Sequence, residues 1–288
     1  MTQNLLICTD LDRTLIPNGP QPESDNARKY FLALCQRPEV TLVFVTGRHR
    51  MLIEQAVVDY SLPVPDYAIA NVGTTIYRVG HEHLWQRQTG WDDEIAVDWG
   101  NQTHSDIKSM LRDVPSLRLQ ENNKQDTHKL SYYVPLNSDR ETLSTIITGR
   151  LAEHRVNARL IWSDDEPAGI GLLDVTPHRS SKYHAIKALM RVLDMYETQI
   201  VFAGDSGNDL EVIVSDIPSV LVANSQPQIR EQSTRRAAES GHSDQLYLAK
   251  GGFMGMNGNY AAGILEGIAH YHPETIEWMG LAAGAHEK

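Results

Sequence analysis

The chain begins with a short apolar run that stops at two acidic residues, and this stretch constrains the fold more than any other. Residues 5–9 are apolar and favour β-structure, which predicts a buried strand. Asp10 and Asp12 follow directly. A buried strand that ends at an acidic pair indicates a reaction site at the carboxyl edge of a parallel sheet.

The two aspartates of this pair need a neutralising partner. Side chains two residues apart on a strand point to the same side, so Asp10 and Asp12 can face one reacting centre. Like charges held so close require a divalent cation, or a proton on one of the two groups. Both solutions serve catalysis, as a metal held by carboxylate oxygens or as a nucleophile beside an acid–base group. An isolated Asp-x-Asp also fits a simpler arrangement, in which one aspartate caps a turn and the other is solvated.

Composition limits the class of protein. The chain has 288 residues, of which 41% are hydrophobic and 22% charged, as expected for one large or two modest globular domains. The net charge of −11 argues against nucleic acid or an anionic membrane as the partner. Only two cysteines are present, there is no leader pattern, and no apolar stretch approaches the roughly 18 residues that span a bilayer. We therefore expect a cytoplasmic protein.

Apolar runs alternate with helical patterns over most of the chain. Strands are expected at residues 40–45, 67–70, 199–203 and 220–223, and helices at residues 24–35, 51–60, 182–193 and 261–271. Strands that are apolar throughout and alternate with helices indicate a doubly wound parallel sheet, so the expected fold class is α/β.

The alternation changes after Tyr77, which predicts an inserted α+β unit. A long helical stretch at 91–114 precedes strands at 117–119 and 130–134, a helix at 138–155 and strands at 158–162 and 170–175. Ser138 is the expected N-cap of the second helix, because Glu141 follows at the capping-box spacing. We assign residues 83–173 to this second domain, and residues 1–82 and 174–288 to the core.

Two further strand ends or helix starts carry residues that suit a phosphate. Thr46 and Gly47 end the second strand, where a hydroxyl and free N–H groups can hold a phosphate. Thr46 fits equally well as an ordinary helix N-cap. Lys182 stands at a helix entrance, where its ammonium can balance phosphate charge, although a solvated surface lysine is the commoner arrangement.

The run Gly204-Asp205-Ser206-Gly207-Asn208-Asp209 is the most informative of these segments. Asp205 stands at a strand tip, and Asp209 reaches the same side if a helix has begun. Carboxylates at two different strand ends are what a Mg²⁺ site requires. A helix N-terminus alone would also explain Asp209. The chain order of acidic pair, Thr, Lys and acidic pair, each at a strand end or helix start, supports the chemical interpretation.

These segments resemble the four motifs of the haloacid dehalogenase (HAD) superfamily, in the same order. The matching residues are Asp10-Leu11-Asp12-Arg13-Thr14, Thr46, Lys182 and the GDSGND run. The inserted domain resembles a class IIB cap. The VTGR segment, Asp174 to Pro177, Arg179-Ser180-Ser181-Lys182 and the AAGILEGIAHY segment are most similar to the sucrose-phosphate phosphatase branch.

The resemblance implies a role for each motif residue. Asp10 would be the nucleophile that forms an aspartyl-phosphate, and Asp12 the acid–base group that serves the leaving sugar oxygen and then water. The residues implied in phosphate binding are Thr46, Gly47, Lys182 and Asn208. The residues implied in Mg²⁺ binding are Asp10, Asp12 (with the Leu11–Asp12 backbone), Asp205 and Asp209.

The resemblance also places the sugar beside the cap. Lys129 corresponds to a cap segment that faces the active site, although it also fits as a residue that merely flanks a strand. Ser163 and Asp164 occupy a second such loop. The chain departs from the family at Tyr183, where glycine is usual, in the segment 73–77, which lacks an acidic residue, and in the longer acidic loop 164–169.

We therefore expect a monomeric, Mg²⁺-dependent phosphatase that acts on a small sugar phosphate, with sucrose 6-phosphate the leading substrate. Mannosylfructose phosphate and mannosyl-3-phosphoglycerate are alternatives within the same class. A phospho-acceptor regulator also places Asp, Thr and Lys around Mg²⁺, but it needs neither the acid–base group at Asp12 nor a large insert. A sugar-binding protein with an inactive site is a third possibility, against which the intact acidic set argues.

Overall fold

The computed structural model describes residues 4–80, 84–100, 102–165 and 168–280. Its strands are β1 (Leu5–Thr9), β2 (Val40–Val45), β3 (Tyr67–Ala70), β4 (Thr75–Val79), β5 (Trp85–Arg87), β6 (Arg118–Leu119), β7 (Leu130–Val134), β8 (Ala158–Asp165), β9 (Ile170–Pro177), β10 (Ile200–Gly204), β11 (Ser219–Leu221) and β12 (Leu246–Leu248). Its helices are α1 (Ala27–Cys35), α2 (Arg50–Asp59), α3 (Thr89–Ala96), α4 (His104–Leu111), α5 (Arg140–Glu153), α6 (Lys182–Leu193), α7 (Leu210–Ile213), α8 (Pro227–Glu239), α9 (Ala261–Tyr271) and α10 (Thr275–Trp278).

The larger sheet has eight strands in the order β12-β11-β10-β1-β2-β3-β4-β5. The strands from β12 to β3 are parallel, and β4 and β5 continue the sheet in antiparallel pairs. Strand order reverses at β1, which lies between β10 and β2, so the carboxyl ends of these three strands form one edge. The predicted doubly wound α/β fold is confirmed.

Two hydrophobic clusters cover the two faces of this sheet, which explains why its strands are apolar throughout. Leu5 and Ile7 pack in a cluster with α1 and α9, whereas Leu6 and Cys8 pack on the opposite face with α6. Successive side chains of β1 therefore point alternately into two buried hydrophobic clusters, and neither face of the strand is exposed to solvent. Both cysteines are free thiols.

A smaller antiparallel sheet, in the order β6-β7-β9-β8, follows in the inserted segment. A third cluster, which includes Trp99, Ile107 and Ile147, packs α4 and α5 against this sheet. In contrast, β5 pairs with β4 of the larger sheet, and Trp91 of α3 packs in the cluster beside α6. The division at residues 83 and 174 stays a prediction, and we propose that the inserted unit begins after α3.

Several predicted elements agree with the structure to the residue, namely the strands at 40–45, 67–70 and 130–134 and the helices at 182–193 and 261–271. The single helix expected at 91–114 is wrong. The chain forms α3, a 3₁₀ turn at Val97–Trp99 and then α4, because Gly100 adopts a positive φ and Thr103 starts a new helix with a capping box. Ser138 is not the N-cap of α5. Asp139 accepts the hydrogen bond from the Thr142 amide instead.

No helix in the described ranges combines the length and the apolar composition needed to cross a membrane.

The packing of α9 on the sheet predicts opposite effects for two helical Gly→Ala substitutions. A Cβ added at Gly267 would lie 2.1 Å from a Val220 methyl carbon, whereas one added at Gly149 of α5 meets no atom within 4 Å. We expect Gly267→Ala to lower the free energy of unfolding by about 1–3 kcal/mol through overpacking. Gly149→Ala should raise it by up to about 1 kcal/mol, because alanine favours a helix. Urea unfolding of both variants is the measurement, and an unchanged midpoint for Gly267→Ala would contradict this packing.

Candidate active site

Three buried carboxylates meet at the carboxyl edge of the larger sheet. Asp10 directly follows β1, and its N–H donates to Ala203 of β10 at 2.9 Å, which extends the strand pairing to the tip. Asp205 directly follows β10. One carboxylate oxygen each of Asp10, Asp205 and Asp209 lies within 4.8 Å of the other two. The structure thus brings together residues that are about 200 positions apart in sequence, because their strands are neighbours.

The turn after β10 explains how Asp209 reaches this group. Residues Gly207–Asp209 form a 3₁₀ turn, and the Asp209 Oδ2 accepts hydrogen bonds from the backbone N–H groups of Asp205 (3.1 Å) and Ser206 (3.2 Å). A Cβ at Gly204 would lie 2.6 Å from the Asp209 Cγ. Glycine is therefore required at this strand tip, because the carboxylate of Asp209 occupies the space of a side chain.

Lys182 is the cation at the centre of this acidic group. It is the first residue of α6, and it is almost completely buried. Its Nζ lies 2.7 Å from Asp209 Oδ1 and 3.1 Å from Asp10 Oδ1, and it donates to Asn208 Oδ1 at 3.3 Å. Two of the three carboxylates, those of Asp10 and Asp209, thus contact this buried ammonium, whereas Asp205 lies 3.7 Å from the guanidinium of Arg13.

The excess of negative charge appears in the pKa values. Burial raises the pKa of Asp10 above its ordinary value; Lys182 opposes this rise, and the charges of Asp209 and Asp205 add to it. Burial likewise raises the pKa of Asp205 to about 6, with a further contribution from Asp209. Burial alone would lower the pKa of Lys182, but the neighbouring carboxylates raise it instead, so the lysine stays charged.

The donor set fits a hard divalent cation. Carboxylate oxygens are the ligands that Mg²⁺ and Ca²⁺ prefer, and a cation would remove the repulsion that raises the pKa of Asp10 and Asp205. The three buried aspartates can supply one oxygen each.

The side chain of Asp12 lies outside this group of three, and the metal contact implied for the Leu11–Asp12 backbone stays a prediction. The Asp12 side chain is 43% exposed and forms a two-pronged ion pair with Arg48, with Nε–Oδ2 and Nη2–Oδ1 distances of 2.8 and 2.6 Å. Asn18 Nδ2 donates to the same carboxylate at 2.8 Å. Partial burial would raise the pKa of Asp12, but the hydrogen bonds and charge of Arg48 outweigh it and hold the pKa below its usual value. Asp12 is therefore a separate, ionised carboxylate.

The predicted phosphate-binding residues lie around this centre. Thr46 is buried, and its N–H donates to Ile69 at 2.8 Å, which extends β2 beyond its last residue. It is not a helix N-cap, because His49 holds that position for α2. The alternative explanation for Thr46 is therefore excluded. Gly47 and Asn208 both line a cavity of about 240 Å³ beside the acidic group.

This cavity lies between the two sheets. Arg48 and Asn71 line it from the larger sheet, and Lys124, Lys129 and Asp174 line it from the smaller one. A larger cleft of about 860 Å³ reaches Lys182 and Ser206 and shares Asn208 and Ser163 with the first cavity. The cavity reaches Gly47 after β2, and the cleft reaches Ser206 after β10.

The residues predicted in the inserted unit divide into two groups. Lys129 is buried at the cavity wall, 3.4 Å from Asp174, and Ser163 lines both openings. The loop expected at Ser163 and Asp164 is instead part of β8. Because side chains alternate along a strand, Asp164 points away from Ser163, and it pairs with Arg140 at the start of α5. Of the acidic segment 164–169, Glu166 and Pro167 lie outside the described residues.

Sequence reasoning assigned no role to Arg48 or Asp174. Arg48 belongs to the VTGR segment and Asp174 to the segment that ends at Pro177, so both were visible as motif residues. Their partners, Asp12 and Lys129, are 36 and 45 positions away, and only the folded chain brings them together.

The chain is similar to known proteins over most of its length. A family model described as sucrose-6F-phosphate phosphohydrolase matches residues 3–272. A putative HAD-like hydrolase of Nitrosococcus oceani is 48% identical over 279 residues, which are 97% of this chain and 75% of that protein. Sucrose-phosphatase 1 of Nicotiana tabacum is 28% identical over 275 residues, and the match covers 93% of this chain but only 59% of the tobacco protein.

The solved structures support the fold. A sucrose-phosphatase from Synechocystis, in complex with sucrose and phosphate, superposes with a TM-score of 0.70 at 24% identity. The superposition covers 93% of this chain and 98% of that one, so the same arrangement of both sheets extends over nearly the whole chain.

The crowding of carboxylates predicts how Asp205→Asn changes stability. The pKa of Asp205 is raised on folding, from 3.8 to about 6, so the stability that its neutral form contributes is lost as pH rises through this range. In metal-free protein at pH 8, Asp205→Asn should therefore be more stable than wild type by about 2–3 kcal/mol, with no difference at pH 4.

Urea unfolding in a chelator, with and without added Mg²⁺, measures both effects. Mg²⁺ should stabilise the wild type, because it binds only the folded chain, and it should stabilise Asp205→Asn much less. A metal-free Asp205→Asn protein that is less stable than wild type at pH 8 would contradict the raised pKa of Asp205, which burial and the charge of Asp209 produce.

Proposed function

Because the chain belongs to the sucrose-6F-phosphate phosphohydrolase family, we propose that it hydrolyses a sugar phosphate, with sucrose 6-phosphate as the leading substrate. This membership confirms the family and the enzyme class, a phosphoric monoester hydrolase, that the motifs implied. One observation carries the proposal: within the matched range, Asp10, Lys182 and the two acidic residues after β10 meet at one sheet edge.

Asp10 is the nucleophile in this proposal. One of its carboxylate oxygens attacks the phosphorus atom, a new P–O bond forms, and the bond from phosphorus to the sugar oxygen breaks. The resulting aspartyl-phosphate is then hydrolysed by water, which returns Asp10 and releases phosphate. Burial of Asp10 among hydrogen-bonding groups keeps other water away from the reacting atoms.

Asp12 is the acid–base group. Because its carboxylate is ionised beside Arg48, Asp12 first takes up a proton from solvent and delivers it to the departing sugar oxygen. The carboxylate that remains then removes a proton from the attacking water. Arg48 and Asn18 hold its carboxylate in one orientation at the edge of the cavity. The partial exposure of its side chain suits a group that exchanges protons with substrate.

Lys182, Thr46 and Gly47 hold the phosphoryl group. The buried Lys182 ammonium offsets its negative charge, and Thr46 and Gly47 offer donors at the neighbouring strand end. Mg²⁺ held by Asp10, Asp205 and Asp209 would neutralise charge that develops on the phosphoryl oxygens.

The cavity between the sheets is the proposed sugar site. Lys129 and Ser163 project into it from the smaller sheet, and Asn208 lies where it meets the phosphoryl site. Sucrose 6-phosphate is supported by the family description and by the names of the tobacco and Synechocystis proteins. The chain matches just over half the length of the tobacco protein, so this substrate is a proposal to be tested directly.

Replacement of the nucleophile is the primary test. We expect Asp10→Asn to lower phosphate release from sucrose 6-phosphate by more than about a thousandfold, because the amide has nearly the same shape but does not attack phosphorus. Circular dichroism should show an unchanged fold. Continuous release of many phosphates per chain by the wild type would exclude a phospho-acceptor regulator, and full activity of Asp10→Asn would exclude the proposed mechanism.

Lys129→Ala tests the sugar site. We expect KM for sucrose 6-phosphate to rise by about tenfold or more, the usual effect of losing a hydrogen bond from a charged group. KM for p-nitrophenyl phosphate, which has no sugar, should rise much less. Asp164→Asn is the control, because Asp164 lies on the opposite face of the smaller sheet. Equal effects of Lys129→Ala on both substrates would remove Lys129 from the sugar site.

A further inference from the structure

A single carboxylate of the inserted unit is bound by three side chains from the larger sheet and its connections. Asp126 Oδ2 accepts hydrogen bonds from Thr75 Oγ1 at 2.6 Å and from Asn71 Nδ2 at 3.0 Å. Its Oδ1 accepts one from the Arg87 guanidinium at 2.9 Å. The segment 73–77 has no acidic residue of its own, so Asp126 supplies the carboxylate that these donors share.

Asp126 is well placed to hold this contact as an ion. Its side chain is only 15% exposed. Burial would raise the pKa of Asp126, but the hydrogen bonds from Arg87 and Thr75 outweigh it and keep the pKa below its usual value. Charge-assisted hydrogen bonds in a partly buried place are strong, so this contact holds the two parts of the chain together more firmly than an exposed ion pair does.

The contact fixes one wall of the cavity. Asp126 and Lys129 exchange two backbone hydrogen bonds, of 3.1 and 3.2 Å, so their positions are coupled directly. Lys129 lines the cavity, as does Lys124 two residues before Asp126. The hydrogen bonds to the side chain of Asp126 therefore determine the positions of both lysines.

The other side of the contact is tied to the phosphoryl site. The N–H groups of Asn71 and Val72 donate to the carbonyls of Arg48 and Thr46, at 3.0 and 3.1 Å. The next residue, Gly73, packs so closely that an added Cβ would lie 2.4 Å from the Ser181 carbonyl carbon. The turn at Asn71–Gly73 thus rests on both chain segments that carry the predicted phosphate-binding residues Thr46 and Lys182.

Backbone conformation supports a special role for this turn. Asn71, Val72 and Gly73 have successive φ values of 51°, 60° and 99°. A β-branched residue such as valine rarely adopts a positive φ, and such strain persists only where the surroundings enforce it. The surrounding structure therefore holds this turn in one conformation, and Asp126 of the inserted unit binds to it through Asn71.

We propose that Asp126 is a positioning residue that sets the spacing between the phosphoryl site and the sugar-contacting wall of the cavity, and thereby determines specificity for a sugar phosphate. This inference rests on the proposed function. The phosphoryl site is complete without Asp126, whereas Lys124 and Lys129 depend on it for their position. Loss of this contact therefore weakens recognition of the sugar more than it weakens phosphoryl transfer.

Asp126→Asn tests the proposal, and Asp92→Asn is its matched control. Asp92 binds the other edge of the same Arg87 guanidinium, at 2.7 and 2.9 Å, and its side chain is 16% exposed. Asp92 belongs to α3 and does not line the cavity, and its replacement leaves the hydrogen bonds from Asn71 and Thr75 to Asp126 in place. We expect Asp126→Asn to raise KM for sucrose 6-phosphate by about 10- to 100-fold, with a much smaller change for p-nitrophenyl phosphate. Asp92→Asn should leave the ratio of the two activities unchanged.

Hydrogen exchange measured by mass spectrometry gives a readout independent of activity. Asp126→Asn should accelerate exchange in residues 120–130 and leave the strands at 5–9 and 200–204 protected, whereas a general loss of stability would accelerate all of them. Equal losses with both substrates, or unchanged exchange in residues 120–130, would overturn the proposal.

Failure of the proposed substrate can be distinguished from failure of the role of Asp126. If the wild type releases phosphate from p-nitrophenyl phosphate but not from sucrose 6-phosphate, the proposed substrate fails, and the exchange experiment still decides the role of Asp126. If Asp126→Asn does not fold, Thr75→Val replaces it, because it removes one donor to Asp126 while keeping the side-chain shape. The same exchange pattern in Thr75→Val supports the proposal, and its absence overturns it.

Discussion

The structure depends on the balance of charge around the buried ammonium of Lys182. Two of the three buried carboxylates, those of Asp10 and Asp209, contact this cation directly, and removing either would leave it with a single carboxylate partner. Burying such a cluster is costly unless each charge is paired or a further cation is bound. In the proposed mechanism, this cost supports reactivity, because the nucleophilic carboxylate and the place for a doubly charged phosphoryl group are held together in advance of any substrate.

The topology explains why this cluster forms from distant parts of the sequence. The tips of β1 and β10 are neighbours because strand order reverses at β1, and Lys182 begins the helix that packs on one face of β1. The inserted unit lies beside this edge, and its residues Lys129 and Ser163 line the cavity between the two sheets. In the proposed function, phosphoryl transfer takes place at the strand tips of the core, and the smaller sheet of the insert recognises the sugar. The turn at Asn71–Gly73 lies between the two.

Sequence patterns predicted what depends on local periodicity. The buried strand at 40–45 and the amphipathic helix at 182–193 were predicted to the residue, because their apolar residues repeat with the period of the element. The N-cap of α5 was placed one residue early, since Ser138 and Asp139 are both good caps and only the path of the chain selects one. Local sequence patterns did not predict which distant segments come into contact. Nothing near Thr75 indicates that its partner is Asp126, 51 positions later.

We propose that Asp10 receives the phosphoryl group of a sugar phosphate in a site completed by Lys182 and the acidic turn after β10. The most direct measurement is acid quenching during turnover of sucrose 6-phosphate, followed by peptide mass mapping of the trapped protein. We expect one phosphoryl group on the peptide that contains Asp10, present in wild type and absent when no substrate is added. A phosphoryl group on any other residue, or none during rapid turnover, would contradict it.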